Sequence, residues 1–243
     1  MDKELYTQMS ENEDEHWWFV GRRKIIESVL DTFYKKSTAN KILEIGCGTG
    51  GNLALLSKYG KLTAVELNDE AIDIATKRNI CPIHKGSLPD NLQLGDKFNL
   101  ICMLDVLEHI EDDSGAINYL ASQLISNGIL LITVPAYMFL WSAHDEIHHH
   151  HRRYTRKELE NIIVKSGLKI KYSTYFNTLL FPLIYSVRLI GKLANKTQAS
   201  DVNMPSPIAN LILQSIFQFE KLIMRLITLP FGVSILVIAE KHS

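Results

Sequence analysis

The stretch KILEIGCGTGG at residues 41–51 joins a short apolar run to a loop that contains four glycines. Short apolar runs that alternate with helix-period stretches are typical of βαβ units and a parallel sheet. Glycines let the backbone turn sharply and approach a ligand, and a helix that follows offers unpaired N–H groups at its start. The stretch therefore predicts the first strand, a ligand-binding loop and the first helix of an α/β fold.

The alternation of apolar runs and helical patterns continues along the chain and predicts seven strands. These strands are expected at 41–45, 62–66, 81–85, 98–103, 129–134, 168–174 and 234–239. Helical patterns are expected at about 51–59, 69–78, 113–126 and 155–166. Strands separated by helices in this way indicate a mainly parallel sheet.

Two segments stand outside this alternation. Residues 1–40 carry a helix at about 22–34 before the first strand, and residues 176–230 place two apolar helices between the last two strands. We therefore expect an N-terminal helical cap at 1–40, a core at 41–175 plus 231–243, and an apolar helical insertion at 176–230.

The composition is that of a globular chain. Its 243 residues are 46% apolar, so a buried core is expected and disorder is not. A net charge of -1 gives no electrostatic reason to bind nucleic acid. The acidic, polar N-terminus does not resemble a signal peptide, and three cysteines make no disulfide framework, so we expect a cytoplasmic protein.

The glycine loop and a carboxylate after the second strand predict an adenosine cofactor. Gly46, Gly48 and Gly51 fit the dinucleotide fingerprint, and Glu66 could bind both ribose hydroxyls. These residues alone leave a nicotinamide dinucleotide and other adenosine cofactors open. Glu44 favours another cofactor, because a carboxylate suits a cationic amino group better than a pyrophosphate. The chain also has no Tyr-x-x-x-Lys pair of a short-chain dehydrogenase.

Three stretches carry a family resemblance. LEIGCGTG at 43–50, VELN at 65–68 and CMLDVLEHIED at 102–112 resemble the first, second and fourth motifs of class I S-adenosylmethionine-dependent methyltransferases. The resemblance implies a Rossmann-like seven-stranded sheet with an antiparallel last strand, and S-adenosyl-L-methionine as the cofactor. It also assigns a part of the cofactor to each matching residue. The methionine part goes to Glu44 and the backbone of Gly46, Cys47, Gly48 and Gly50, the ribose to Glu66, the adenine to Leu67, Ser87 and Leu88, and the sulfonium side to Leu104.

The N-terminal pattern resembles one small-molecule subgroup of these enzymes. It consists of HWWF at 16–19 followed by the pair Arg22 and Arg23. By this resemblance, Trp18 belongs to a lid over the cofactor and Arg22 reaches the cofactor carboxylate. The alternative is that the N-terminal helix only packs against the core.

A histidine-rich segment after the fifth strand supplies candidate catalytic residues. The same subgroup's pattern is matched by His144, Asp145, His150, Arg152, Arg153 and Tyr154, whereas His148, His149 and His151 are expected to be incidental. An imidazole titrates near neutral pH and can accept a proton from an acceptor hydroxyl, with Asp145 orienting it. In this family the loops after the fourth and fifth strands both border the transferred methyl, which adds His109 to His144 and His150. The alternative is a structural brace of Arg–Asp pairs.

A carboxylate and imidazole cluster follows the fourth strand. Asp105, Glu108 and His109 resemble the Glu-x-x-Glu-His stretch of ubiquinone-pathway O-methyltransferases, some of which use a divalent ion. The sequence Val-Leu-Glu-His is also frequent in methyltransferases that use no metal, so we expect no metal here.

The resemblance predicts an enzyme that methylates a small, lipophilic acceptor, most simply at oxygen. The loop after the fourth strand lacks the Asn/Asp-Pro-Pro-Tyr motif of amino-group methylation, which argues against a nucleic-acid substrate. A protein methyltransferase and a non-catalytic cofactor-binding module remain alternatives.

The insertion predicts a contact outside the molecule. Residues 152–200 hold ten bases and two acids, and the helical pattern Pro207–Leu229 is apolar over most of its surface. We expect this region to lie against the inner face of a membrane, or to pack within the protein or in a homodimer. Arg188 and Lys192 interrupt its first helix and argue against a transmembrane span.

Overall fold

A computed structural model of the chain describes residues 3–92, 94–193 and 203–242. Seven strands lie within these ranges: β1 Lys41–Ile45, β2 Lys61–Glu66, β3 Ile83–Lys85, β4 Phe98–Leu104, β5 Leu124–Pro135, β6 Leu168–Phe176 and β7 Ser234–Lys241. They form one sheet in the order β3-β2-β1-β4-β5-β7-β6. Neighbouring strands from β3 to β5 are parallel, and β7 is antiparallel to both β5 and β6. The predicted Rossmann-like sheet with an antiparallel last strand is confirmed.

The helices connect the strands and cover the sheet. They are α1 Lys3–Asn12, α2 Trp17–Phe33, α3 Leu53–Leu56, α4 Asp69–Lys77, α5 Asp113–Gln123, α6 Ala143–Ile147, α7 Arg156–Lys165, α8 Phe181–Leu193 and α9 Pro207–Met224. Local capping explains several of their ends. The side chain of Asn68 accepts from two backbone N–H groups at the start of α4. Thr155 and Glu158 form a capping box at the start of α7.

Several predicted helices have different bounds in the structure, and the pattern at 51–59 forms an α-helix only at Leu53–Leu56, followed by a 3-10 turn at Ser57–Tyr59. The pattern at 113–126 ends as a helix at Gln123, because Leu124 already pairs with Phe98 in the sheet. The N-terminal helix begins at Trp17 rather than near residue 22, since His16 caps it by accepting from the N–H of Trp18. In addition, α1 was not predicted from the sequence.

The helix α9 packs on α2, so the N-terminal segment and the insertion meet each other. Phe217 of α9 is fully buried and stacks on Trp18, with ring centroids 5.3 Å apart. Gly21 makes this approach possible, because a Cβ at its position would collide with the ring of Phe217. Asn210 strengthens the contact, since its Oδ1 accepts from the N–H of Trp17 at 2.8 Å. The two segments therefore form one helical layer.

The start of α2 and Leu213 of α9 lie at the end of the sheet that holds the carboxyl ends of the parallel strands, whereas Phe33 and Met224 contact Tyr172 of β6. β1 and β4 are neighbours in the sheet, although β2 and β3 separate them in the sequence. The reversal of strand order opens a crevice at this point, where α/β proteins bind ligands. The division of the chain into cap, core and insertion stays a prediction. Residues 194–202 of the predicted insertion lie outside the described residues.

Candidate active site

A large cavity of about 1260 Å³ lies at this end of the sheet. Small-molecule sites commonly occupy roughly 300–1,000 Å³, so this volume has room for two reactants. Most of the predicted cofactor residues line it: Gly46, Cys47, Gly48, Glu66, Leu67, Ser87, Leu88, Leu104, Trp18 and Arg22. Glu44 and Gly50 are not among the residues that line it. Among the predicted catalytic residues, His109, His144 and His150 line the cavity, and Asp145 lies behind them.

The glycine loop is shaped as the sequence predicts. Gly46 and Gly48 have φ angles of +67° and +54°, a region that favours glycine. The N–H groups of Gly46 and Cys47 donate to the carbonyl of Val65, which ties the loop to β2. A Cβ at Gly48 would meet no protein atom within 4 Å and would project into open space. The loop therefore leaves a cradle beside its backbone that a bound ligand can fill.

Glu66 closes one side of this cradle. Its carboxylate accepts hydrogen bonds from the N–H groups of Gly48 at 2.8 Å, Leu67 at 2.8 Å and Asn68 at 2.9 Å. The side chain is nearly buried and fixed at the end of β2. Leu67 beside it is 60% exposed and lines the cavity, so it offers an apolar surface to a planar ring. This arrangement fits the predicted ribose and adenine contacts.

Glu44 is a fully buried carboxyl group under the loop. Its Oε1 accepts from the side-chain amide of Asn52 at 3.0 Å, and its Oε2 has no hydrogen-bond partner. Burial raises its pKa to about 8, against the opposing effect of Asn52. A cation approaching through Asn52, which lines the cavity, would compensate this carboxylate. The donor set thus fits the cationic amino group that the sequence predicted.

Glu13 joins the N-terminal segment to the glycine loop, which the sequence did not predict. Its carboxylate accepts from the hydroxyl of Thr49 at 2.9 Å and pairs with Arg78. Its backbone carbonyl accepts from Arg23 at 2.6 Å. Gly51 has no room for a Cβ because the Glu13 carboxylate lies against it. In the sequence Glu13 belongs to a run of acids that looks solvated, and no local pattern distinguishes it.

Arg22 and Trp18 extend from α2 over the cavity. The guanidinium of Arg22 is nearly buried and lies 3.1 Å from the carboxylate of Asp105, yet its Nη2 has no hydrogen-bond partner. An unpartnered buried guanidinium nitrogen on the cavity wall fits an anionic group such as a carboxylate. Trp18 lines the cavity and also stacks on Phe217, so it packs against the core as the alternative expects, and its role as a lid stays a prediction.

Asp145 contacts both Arg153, as expected for a structural brace, and His150, as expected for a carboxylate that orients an imidazole. Asp145 is fully buried, and both of its oxygens accept from Arg153, at 2.7 and 2.9 Å. Its Oδ1 also lies 2.9 Å from Nδ1 of His150. Burial opposes ionisation, but the hydrogen bonds from His150 and Arg153 hold the pKa of Asp145 well below its usual range. Arg153 therefore fixes a carboxylate that in turn orients His150.

Several imidazoles gather around His150. The ring of His109 lies 4.5 Å from it, edge to face, and the ring of His148 lies 4.1 Å from that of His144. Burial, with nearby histidines, lowers the pKa of His109 to about 3 and that of His148 to about 4. His148, which the sequence analysis expects to be incidental, is buried and lines the cavity beside His144, and its role stays a prediction.

Glu108, His109 and His150 could hold a metal ion, since their donor atoms all lie within 4.8 Å of one another. Asp105, which the sequence grouped with them, instead pairs with Arg22. Burial raises the pKa of Glu108 well above its usual value, and its Oε2 has no hydrogen-bond partner. The absence of a metal stays a prediction.

The far end of the cavity is mostly apolar, with the guanidinium of Arg188 and the amide of Asn177 among its walls. Leu180 and Ile184 of the α8 region line it together with Leu213 of α9. Asn177 is fully buried there, and neither atom of its side-chain amide has a hydrogen-bond partner. Glu220 holds this turn in place, because its buried carboxylate accepts from the N–H of Leu179 at 2.6 Å. Asn177 was not predicted, since an isolated Asn after a strand is an ordinary turn signal.

Comparison with known proteins bears on this site. A family model described as "Methyltransferase domain" matches residues 17–172, more than half of the chain. The chain is 30% identical over 104 residues to the mitochondrial ubiquinone biosynthesis O-methyltransferase of Schizosaccharomyces pombe, over 40% of this chain and 38% of that protein. It is 27% identical over 132 residues to the ubiquinone biosynthesis O-methyltransferase of Pelagibacter ubique, over 48% of this chain and 55% of that protein. The chain thus spans about half or less of the length of these curated relatives.

The fold also recurs among solved structures. The N-methyltransferase NodS of Bradyrhizobium japonicum WM9, solved with S-adenosyl-L-homocysteine, matches with a TM-score of 0.59. The match covers 98% of both chains at 14% identity. At this identity it shows a shared fold.

Proposed function

We propose that this chain, which belongs to the methyltransferase-domain family, methylates an oxygen atom of a small, apolar acceptor. It is a class I S-adenosylmethionine-dependent methyltransferase, and its cofactor is S-adenosyl-L-methionine. The methylated atom, the acceptor class and the roles of the individual residues are the proposed part.

The cofactor fits the glycine-loop end of the cavity. We assign its ribose to Glu66, its adenine to the surface of Leu67, and its carboxylate to Arg22. Its amino group is assigned to the side of Asn52 and Glu44. When bound, the cofactor supplies an electrophilic methyl group on a sulfonium, and the loop backbone around Gly48 holds it in place.

The observation that carries oxygen methylation is the pair of His150 and Asp145. The Asp145 carboxylate engages Nδ1 of His150 at 2.9 Å, so Nε2 is the ring nitrogen left to accept a proton. Nε2 of His150 would accept the hydroxyl proton of the acceptor as the acceptor oxygen takes the methyl group, and the sulfur of the bound cofactor would keep the electron pair of its bond to that carbon. Asp145, held by Arg153, stabilises the resulting imidazolium.

The apolar end of the cavity supports a lipophilic acceptor. Leu180, Ile184 and Leu213 offer hydrocarbon surface, and Asn177 offers both a donor and an acceptor to one polar group. A peptide substrate would need more polar partners along its backbone than this end provides. This argues against protein methylation, and the His150 pair argues against a module without catalysis.

The test is S-adenosyl-L-homocysteine formation by the purified full chain, with tritiated cofactor and fractions of a cell lipid extract. We expect His150→Ala to lower turnover by about a hundredfold or more while the cofactor Kd stays unchanged. His84→Ala is the matched control, because His84 is exposed on β3 and does not line the cavity. Full turnover by His150→Ala would overturn the base assignment. Activity that EDTA abolishes and a divalent ion restores would instead assign Glu108, His109 and His150 to a metal.

Two further expectations concern location. None of the described helices combines the length and the apolar character needed to cross a bilayer. We propose that residues 176–230 make a peripheral contact, either with the inner face of a membrane or with a second copy of the chain. The cytoplasmic location expected from the cysteines stays a prediction.

A further inference from the structure

The helix α9 is apolar on two opposite faces. One face, with Leu213, Phe217 and Met224, packs into the protein. The other carries Ile208, which is 75% exposed, and Leu211, which is 64% exposed. Soluble monomers rarely expose continuous apolar surface of this extent unless it binds something.

The exposed face continues beyond α9. Leu226, just after the helix, is 85% exposed, and Ile190 of α8 is 64% exposed. The helical periodicity places residues 208, 211, 212, 215, 219, 222 and 226 on one side of the helix. Ser215 is the only polar residue among them. We call this surface, formed by the exposed apolar side chains of α9 and by Leu226, the apolar face.

The accessible charges of α9 and the residue after it are basic and suit an anionic partner, and the acidic Glu15 of the N-terminal segment lies beside the start of α9, where its carbonyl accepts from Asn210. Within residues 177–193 and 203–231, Glu220 is the one acidic residue, and it is fully buried. Arg225 is exposed at the end of α9 and Lys221 is half-buried one turn before it. Anionic headgroups attract such flanking cations while the apolar side chains enter the interface.

The basic excess of residues 152–200 contributes less to the attraction of anionic lipid than the sequence suggested. Arg152, Arg153, Arg156 and Lys171 pair with carboxylates, at Asp113, Asp145, Glu160 and Glu240. Lys196 lies outside the described residues. The apolar side chains, with anionic lipid as an auxiliary attraction, therefore carry the interaction.

The position of the cavity favours a membrane over a second copy of the chain. Leu183 and Val187 of α8 keep more than half of their surface accessible and also line the cavity. Leu179, just before α8, donates to Glu220 of α9, so a protein partner seated on the apolar face would lie near this wall of the cavity and restrict it. A bilayer would instead place its hydrocarbon next to this wall of the cavity. An apolar acceptor can then pass from the bilayer into the cavity without crossing water.

We propose that the apolar face docks on an anionic lipid bilayer and that the acceptor enters the cavity from the lipid. The second part rests on the proposed function, whereas docking does not. Both faces of α9 are apolar, but one is buried in the protein and only the other is exposed. None of the described helices is long and apolar enough to cross a bilayer, so the contact is interfacial.

Vesicle flotation with the full chain tests docking without cofactor or acceptor. One set of vesicles is phosphatidylcholine alone, and in the other phosphatidylglycerol replaces a third of the lipid. We expect the protein to float with the anionic vesicles, and the double variant Leu211→Glu/Leu226→Glu to bind about a hundredfold more weakly. Val164→Glu is the matched control, because Val164 is 55% exposed on α7 but lies outside the apolar face.

Each other outcome overturns a stated part of the proposal. No flotation of the wild type at low salt overturns docking, and a dimer that the double variant abolishes then assigns the apolar face to a second copy. Equal binding to both vesicle types overturns the role of anionic lipid. Loss of docking with intact methyl transfer to a dispersed acceptor leaves the proposed function standing. Intact docking with no methyl transfer contradicts only that function.

Discussion

Glu44→Gln should change the pH dependence of the free energy of unfolding, and it should also change the number of protons released when the cofactor binds. Burial raises the pKa of Glu44 from an ordinary value of 4.5 to about 8, so the folded protein keeps this group protonated while the unfolded chain ionises it. The folded state then binds more protons than the unfolded state between about pH 4.5 and 8. Stability from this group is therefore fully present below pH 4.5 and is lost as the pH rises to 8.

The size of the effect follows from the shift. A pKa difference of one corresponds to about 1.4 kcal/mol. Raising the pKa of Glu44 by about 3.5 therefore lowers the free energy of unfolding by up to roughly 5 kcal/mol across this window. Glu44→Gln keeps the shape and the Asn52 contact but cannot ionise. We expect the variant to gain stability over the wild type as the pH rises from 5 to 8, measured by urea denaturation at several pH values.

The same group predicts proton release on cofactor binding. If the cationic amino group approaches Glu44, it lowers this pKa, so binding at neutral pH releases up to one proton from the wild type and none from Glu44→Gln. Titration calorimetry in two buffers of different ionisation enthalpy measures the difference. A stability gap between the two proteins that stays constant from pH 5 to 8 would refute the argument from burial. Equal proton release would refute the approach of the amino group.

Two further predictions test the cofactor site and the helical layer. Glu66→Ala should weaken cofactor binding by about tenfold to a hundredfold, or roughly 1.5–3 kcal/mol, in calorimetry. Asp73→Ala on the exposed side of α4 should leave the Kd unchanged, and wild-type affinity in Glu66→Ala would contradict the ribose assignment. Phe217→Ala should destabilise the fold by about 3–5 kcal/mol in denaturant unfolding, because it empties the buried contact with Trp18. Phe219→Ala, at a position 55% exposed, should cost far less, and equal losses would show that α9 does not pack as described.

Local patterns in the sequence were sufficient for the seven strands and for the glycine loop, whereas the antiparallel last strand was expected only from the family resemblance. Each strand and its following helix is a short segment, and the period of apolar residues reports it directly. The glycine loop is also local, because Gly46 and Gly48 need their left-handed backbone whatever surrounds them. The end of α5 was missed by three residues, because the pairing of Leu124 with Phe98 outweighs helix pattern there.

Only the tertiary structure decided what meets across the cavity. Glu13 reaches the loop at Thr49, 36 residues away, and Asn210 reaches Trp17 across 193 residues. The sequence identified His109 and His150 separately, but their contact depends on how two loops fold together. Asn177 looks like a turn residue until its unpartnered amide is found in the cavity. Such contacts have no signature in a single sequence, because chain reversal and packing, rather than spacing along the chain, set the distance between their side chains.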